Sequence, residues 1–249
     1  MWSKELAPLE YLNPELFVGK DDDERKVCAF ILALALYFND SKALIGMTVR
    51  AIAEKPKLNS ICAELGEYSA LKNYLHRLIY AHIHELHYLL QQHLKEVVEV
   101  PVYQAIVAGM NAKPKKNWEG LISMSYSKKD PISAWFKTMR DGLGFHYVRH
   151  RELYAGYLDW KSSLEKGQVS EHQEGAYISL GRNVKNTRYY FADAAADFWV
   201  RAATKKIPNF GKALNVVLDR NANAISGLIS QFVEHRGGKL TRSTYPKIK

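Results

Sequence analysis

The segment Leu71-Lys72-Asn73-Tyr74-Leu75-His76-Arg77-Leu78-Ile79-Tyr80-Ala81-His82-Ile83-His84-Glu85-Leu86-His87-Tyr88-Leu89-Leu90 decides the fold class. Continued to Val98, it places apolar side chains at Leu71, Leu75, Leu78, Ile79, Ile83, Leu86, Leu90, Leu94 and Val97. Intervals of three and four residues are those of an α-helix with one inward stripe, whereas a strand alternates in twos. A long helix over about residues 59–98 follows, with Pro101 ending or kinking it.

Working back towards the N-terminus, the most hydrophobic run is Val27 to Phe38, bounded by Asp21-Asp22-Asp23-Glu24-Arg25-Lys26 and Asn39-Asp40. It is too short to span a bilayer and suits a helix buried in a core. The acids before it favour a helix N-terminus. Helices are predicted over 22–38 and over 41–54, the second stopping before Pro56. Residues 1–20 read as irregular, with Trp2, Leu9, Tyr11 and Phe17 able to dock on a core. The N-terminal stretch carries Lys4 and Glu5 with no early apolar core and cleavage site, so no signal peptide is expected and a cytoplasmic location follows.

On the other side, residues 102–110 fit either a helix or an extended connector. Residues 111–130 read as a lysine-rich loop and 131–139 as an amphipathic helix, started by Asp130-Pro131, with Ile132, Trp135, Phe136 and Met139 on one side. Further helices are predicted over 147–160, 182–204 and 209–235, with a polar loop at 161–175. The expected fold is all-α, an up-and-down helical bundle with additional C-terminal helices. Residues 1–160 form the bundle, and 176–235 a C-terminal helical pair that either belongs to it or forms a separate lobe. Residues 236–249, with five basic residues and no acid, form a mobile basic tail.

Apolar content of 47% is ample for a core, and a net charge of +9 agrees with a polyanionic partner or with a soluble protein carrying a basic tail. Cys28 and Cys62, the only cysteines, lie in apolar helical contexts and read as reduced, buried thiols. Nucleotide-binding glycine loops and nucleophile elbows are absent from the sequence. Five histidines, His76, His82, His84, His87 and His93, crowd the long helix, yet there is no His-Glu-x-x-His, no Glu-x-x-His and no paired-cysteine motif. No metal site is expected from them. They read as packed or solvated, or with one of them, such as His84 or His87, facing a site on a neighbouring helix. Lys115, Lys116, Lys128 and Lys129, around Trp118 and Tyr126, form a candidate RNA-binding loop. The plainer reading is a solvated loop with its tryptophan in the core.

Chemistry concentrates in Met139-Arg140-Asp141-Gly142-Leu143-Gly144-Phe145-His146-Tyr147. An arginine hydrogen-bonds a phosphate bidentately, and an imidazole takes or gives a proton near neutral pH, so the pair suits phosphodiester cleavage. With 12 Arg and 9 His in 249 residues, a bare Arg-x(4–6)-His arises about once or twice by chance, and Arg77 also precedes His82 and His84 at such spacings. The acid after Arg140 and the aromatics around His146 set the later stretch apart. On an ideal α-helix an offset of six leaves the two side chains roughly 120° apart, so a break near Gly142 or Gly144 is needed to bring them together.

At Arg140, Asp141, Phe145, His146 and Tyr147 the chain resembles the HEPN superfamily, helical-bundle proteins that include many RNases of toxin–antitoxin and antiviral systems. Their motif is Arg, a polar residue, a short spacer and His; one subset reads Arg-Asn/Asp, several residues, then Phe-His-Tyr. The two spacer glycines depart from that pattern. The resemblance implies metal-independent RNA cleavage without a cofactor. His146 acts as general base or acid on the 2′-hydroxyl and leaving group, Arg140 holds the scissile phosphate, and Asp141 orients one of them. Tyr147 offers a supporting hydrogen bond. It also implies RNA as substrate, a homodimer with both motifs facing across the interface, an antitoxin protein as a further partner and no membrane association. The alternative is a non-catalytic helical interaction module, binding protein or nucleic acid, in which Arg140 and His146 are structural.

Overall fold

The computed structural model describes residues 10–57, 63–127, 129–144, 150–168, 187–238 and 241–242, with residues 176, 178, 182 and 184 singly. The fold is all-α. Its helices are α1 (Asp22–Ala53), α2 (Ala63–Val97), α3 (Pro101–Gly109), α4 (Ala112–Tyr126), α5 (Pro131–Met139), α6 (His150–Glu165), α7 (Tyr190–Thr204) and α8 (Phe210–His235). A 3-10 turn spans Pro14–Phe17, and two-residue strands β1 (Glu10–Tyr11) and β2 (Thr241–Arg242) pair antiparallel. The chain forms two compact units, Met1–Leu36 with Leu89–Ile122 and Leu218–Lys249, and Tyr37–Tyr88 with Ser123–Val217.

Several boundaries differ from the sequence expectation for identifiable reasons. The helices expected over 22–38 and 41–54 are one helix, α1. Asn39 and Asp40 are weak helix formers, but each costs at most about 0.7 kcal/mol relative to alanine, and neither is a breaker. Ser41 Oγ donates back to the Tyr37 carbonyl at 2.9 Å, and the His82 ring stacks on Tyr37 with centroids 4.3 Å apart, holding the backbone through this point. As one helix, α1 is long and apolar enough, by length and composition, to cross a bilayer, and 28% of its most apolar window is buried. The expected loop over 111–130 is largely α4. Pro114 sits near its start, where a missing N–H costs little, and Trp118, Leu121 and Met124 recur at helical spacing on its buried side. Residues 102–110 are helical as part of α3, opened by Pro101. The helix expected from residue 182 begins only at Tyr190, after a non-helical Tyr189. Cys62 lies outside the described residues; Cys28 is buried and unpaired.

In the first unit, Trp118 is the centre of an aromatic core. Phe30 meets both Tyr103 and Trp118 edge-on at 6.3 Å, and Trp118 Nε1 donates to the Tyr103 hydroxyl at 3.0 Å. A polar clamp closes the unit. Arg236 donates to the carbonyls of Leu16 and Val18 and, at 2.7 Å, to the Glu24 carboxylate. That hydrogen bonding, led by the Lys20 amide and then Arg236, holds the Glu24 carboxyl below its usual range. Of the basic tail expected to be mobile, Arg236 is thus anchored, and Thr241–Arg242 is paired with β1.

In the second unit, α6 and α7 pack closely because Gly156 has no side chain; a methyl group there would run into the Ala195 carbonyl oxygen. The α2 stripe is buried at Leu75, Ile79, Ile83 and Leu86, and α5, which buries Trp135, Phe136 and Met139, meets α2 where Trp135 packs on Tyr80 and Phe136 on His87. Leu71, expected inside, is exposed. His87 is buried, while His93 is exposed beside Glu96.

Trp118→Phe removes a buried hydrogen bond and is expected to lower unfolding free energy by about 1 kcal/mol or more. Trp118→Ala is expected to cost about 3–5 kcal/mol. Urea unfolding followed by circular dichroism measures both.

Candidate active site at the Arg140 turn

Helix α5 starts where Asp130-Pro131 dictates. The Asp130 carboxylate caps it, accepting from the backbone N–H groups of Ile132 at 3.0 Å and Ser133 at 2.8 Å. Burial of Trp135, Phe136 and Met139 then sets the rotation of the helix and carries Arg140 to its C-terminal end. There the chain widens into a π-helical turn, Arg140–Gly144, the wider i→i+5 geometry that recurs at functional sites.

Arg140 is held at two nitrogens. Its Nε donates to Glu85 Oε1 at 2.8 Å and its Nη1 to Asp141 Oδ1 at 3.1 Å. The three side chains are partly exposed, at 27%, 37% and 30% for Arg140, Glu85 and Asp141. The hydrogen bond Arg140 donates to Asp141, then the one it donates to Glu85, pushes the guanidinium pKa up against partial burial, so Arg140 is charged throughout the working range. Among the described residues no acceptor meets Nη2, which is therefore the donor a bound anion would use. The cluster of one guanidinium and two carboxylates carries a formal charge of −1, which a bound phosphate has to overcome.

Two histidines of α2 accompany this cluster. His84 is pushed down in pKa, first by burial and then by the charges of Arg140 and Lys137, with Asp141 and Glu85 opposing. Its Nδ1 is buried with no partner among the described residues. His87 is almost fully buried, its ring edge-on to Phe136 at 6.1 Å, with Nδ1 3.2 Å from Ser133 Oγ and Nε2 likewise unpartnered. Burial first, and repulsion from His84 second, lower its pKa from 6.5 to about 4, against the pull of Asp130. His82 is tied to α1, with Nε2 3.2 Å from the Tyr37 carbonyl and 3.1 Å from Ser41 Oγ. No group of three or more His, Cys, Asp or Glu able to hold a metal ion occurs among the described residues.

Of the residues picked out by sequence, Arg140 and Asp141 are thus brought together. His146 and Tyr147, with Phe145, lie outside the described residues. Lys115 and Lys116 belong to the N-terminal part of α4, not to a loop, and sit in the first unit. Lys129 is exposed in the second unit, and Lys128 lies outside the described residues. Sequence reasoning missed Glu85 as the partner of Arg140, looking instead to His84 or His87. One signal was available: Glu85 is the only acid between Glu67 and Glu96.

Comparison with protein-family models, with curated proteins and with solved structures finds no match for this chain.

The His87 environment has a consequence for stability. The folded pKa lies below the ordinary value, so between pH 6.5 and about 4 the unfolded chain binds a proton that the folded chain refuses. Stability contributed this way is complete above pH 6.5 and falls as pH drops through that window. His87→Phe is expected to flatten the dependence of melting temperature on pH between 6.5 and 4. Differential scanning calorimetry across that range checks it, and an unchanged slope contradicts it.

Proposed function

We propose that this protein is a HEPN-like, metal-independent endoribonuclease acting as a toxin or antiviral-defence effector. The observation that carries the reading is the clamped Arg140 guanidinium at the end of α5, in the sequence context Arg140-Asp141…Phe145-His146-Tyr147. A preorganised cation aimed at developing charge lowers a barrier without reorganising during the reaction. Glu85 and Asp141 hold Arg140 through Nε and Nη1, leaving Nη2 for a phosphate oxygen. His146 then takes the 2′-hydroxyl proton, the 2′-oxygen attacks the adjacent phosphorus, and the 5′-oxygen leaves after protonation. The products are a 2′,3′-cyclic phosphate and a 5′-hydroxyl. The net charge of +9 favours association with RNA. In this reading the active form is a homodimer with the two Arg140–His146 pairs facing one another.

One observation favours a second reading, a non-catalytic helical interaction module. Arg140 is already paired with two carboxylates, the arrangement of a structural ion cluster joining α5 to α2. Removing it would then cost stability and no activity.

Purified wild type is expected to cleave RNA in EDTA, leaving 2′,3′-cyclic phosphate ends. Arg140→Ala is expected to lower the rate about 10²–10³-fold and His146→Ala about 10²–10⁴-fold, with helix content retained. Equal cleavage by all three proteins, or none by the wild type, removes the ribonuclease reading in favour of the interaction module.

A further inference from the structure

Within the second unit, α2, α7 and the start of α8 line a cleft of about 190 Å³. It lies apart from the Arg140 cluster and shares none of its residues. Part of the lining is aromatic. Tyr80, itself buried, and Phe210 meet edge-on at 5.9 Å, each packs on Trp135, at 4.6 and 4.4 Å, and His76 stacks on Tyr80 at 6.2 Å. The polar part of the lining includes Asn73, His76, Arg77, Asp197 and Arg201. Arg201 Nε is ion-paired with Asp197 Oδ2 at 2.7 Å, and the Arg201 side chain is half exposed, so a guanidinium lines the cleft within reach of solvent. Asp197 is largely buried.

The lining has a definite chemical character. Burial, reinforced by Lys72, lowers the pKa of the neighbouring His76, which is neutral at pH 7. Burial, then Asp197, pushes the Tyr80 hydroxyl up to about 12, so it stays a donor. Two arginines and one aspartate therefore give the cleft a formal charge of +1. The cleft is smaller than a pocket that encloses a whole drug-sized ligand. It fits a flat ring inside, with an anionic remainder at the rim. Stacking on aromatic faces together with a guanidinium for phosphate is the means by which proteins hold single nucleotides.

We propose that this cleft is a nucleotide subsite, taking a base against Tyr80 and Phe210 and the attached phosphate at Arg201 and Arg77. Asn73 and Asp197 face the base edge, which offers them donors and acceptors. The ligand is a free mononucleotide or one unit of an RNA strand, and the site needs no cleavage activity to exist.

Calorimetric titration of the full chain decides it. The probes are the four ribonucleoside 5′-monophosphates, ribose 5-phosphate, and a 2′-O-methyl hexanucleotide that cannot be cleaved. At least one nucleotide probe is expected to bind, one nucleotide unit per cleft. Arg201→Glu is expected to weaken it about tenfold or more, and Phe210→Ala about tenfold, as loss of one stacking contact predicts. Lys166→Glu, the same charge change at an exposed position beyond the end of α6 and outside the lining, is expected to leave binding nearly unchanged. Binding of mononucleotides identifies free nucleotide as the ligand, and binding of the hexanucleotide alone identifies an RNA unit. The proposal is overturned if no nucleotide probe binds, if ribose 5-phosphate binds as tightly as any mononucleotide, or if Lys166→Glu weakens binding as much as Arg201→Glu. Nucleotide binding sensitive to Arg201→Glu without RNA cleavage keeps this inference and removes the ribonuclease reading; cleavage without such binding does the reverse.

Discussion

The second unit depends on the rotation of α2 about its own axis. Leu75, Ile79, Ile83 and Leu86 are all buried, and each contributes roughly 1.5–3 kcal/mol by leaving water. That sum leaves α2 one orientation, because turning it by a single residue would swing the stripe by about 100°. Everything chemical in the unit follows from this orientation. Glu85, next to the buried Leu86, comes out where the end of α5 delivers Arg140. His87, on the far side of Leu86, is carried into the interior and kept neutral there. Tyr80 is set against Trp135 and Phe210 and forms part of the aromatic lining of the cleft.

The Arg140 cluster shows two competing demands on one guanidinium. Two carboxylates fix its position and keep it charged, but they also cancel its charge locally. A site that stabilises a transition state benefits from the first effect and works against the second. A structural cluster needs only the first. Geometry around Arg140 therefore makes it a well-placed donor, and the proposed cleavage rests on what His146 adds. The arginine of the proposed nucleotide subsite, Arg201, is paired with Asp197 and stands half in water.

The first unit is stabilised differently. Its core is aromatic around Trp118, and its edges are joined by Arg236, which gathers two backbone carbonyls and the Glu24 carboxylate. A charged side chain satisfying carbonyls from a turn is a long-range contact, over 200 residues in sequence, and leaves no local trace. The residues after such an arginine look like any glycine-containing basic tail.

Much of the helical architecture was legible because its cause is local. Stripe spacing marked α2, Asp130-Pro131 marked the start of α5, and Pro56 and Pro101 bounded their neighbours, all through backbone geometry that a few adjacent residues settle. The lysines of residues 111–130 masked α4, although Trp118, Leu121 and Met124 already carried its period. Asn39-Asp40 suggested a break in α1, where a side-chain bond from Ser41 and a stacked His82 sustain the helix instead. The sequence by itself determined an all-α chain and placed Arg140 beside an acid at a helix end. Only the tertiary structure decided that Leu71 lies outside and His87 inside, that Glu85 is the partner of Arg140, and that Tyr80, Asp197, Arg201 and Phe210 line one cleft. Periodicity is a property of neighbours along the chain, whereas burial and pairing depend on which helix arrives from elsewhere to cover each face.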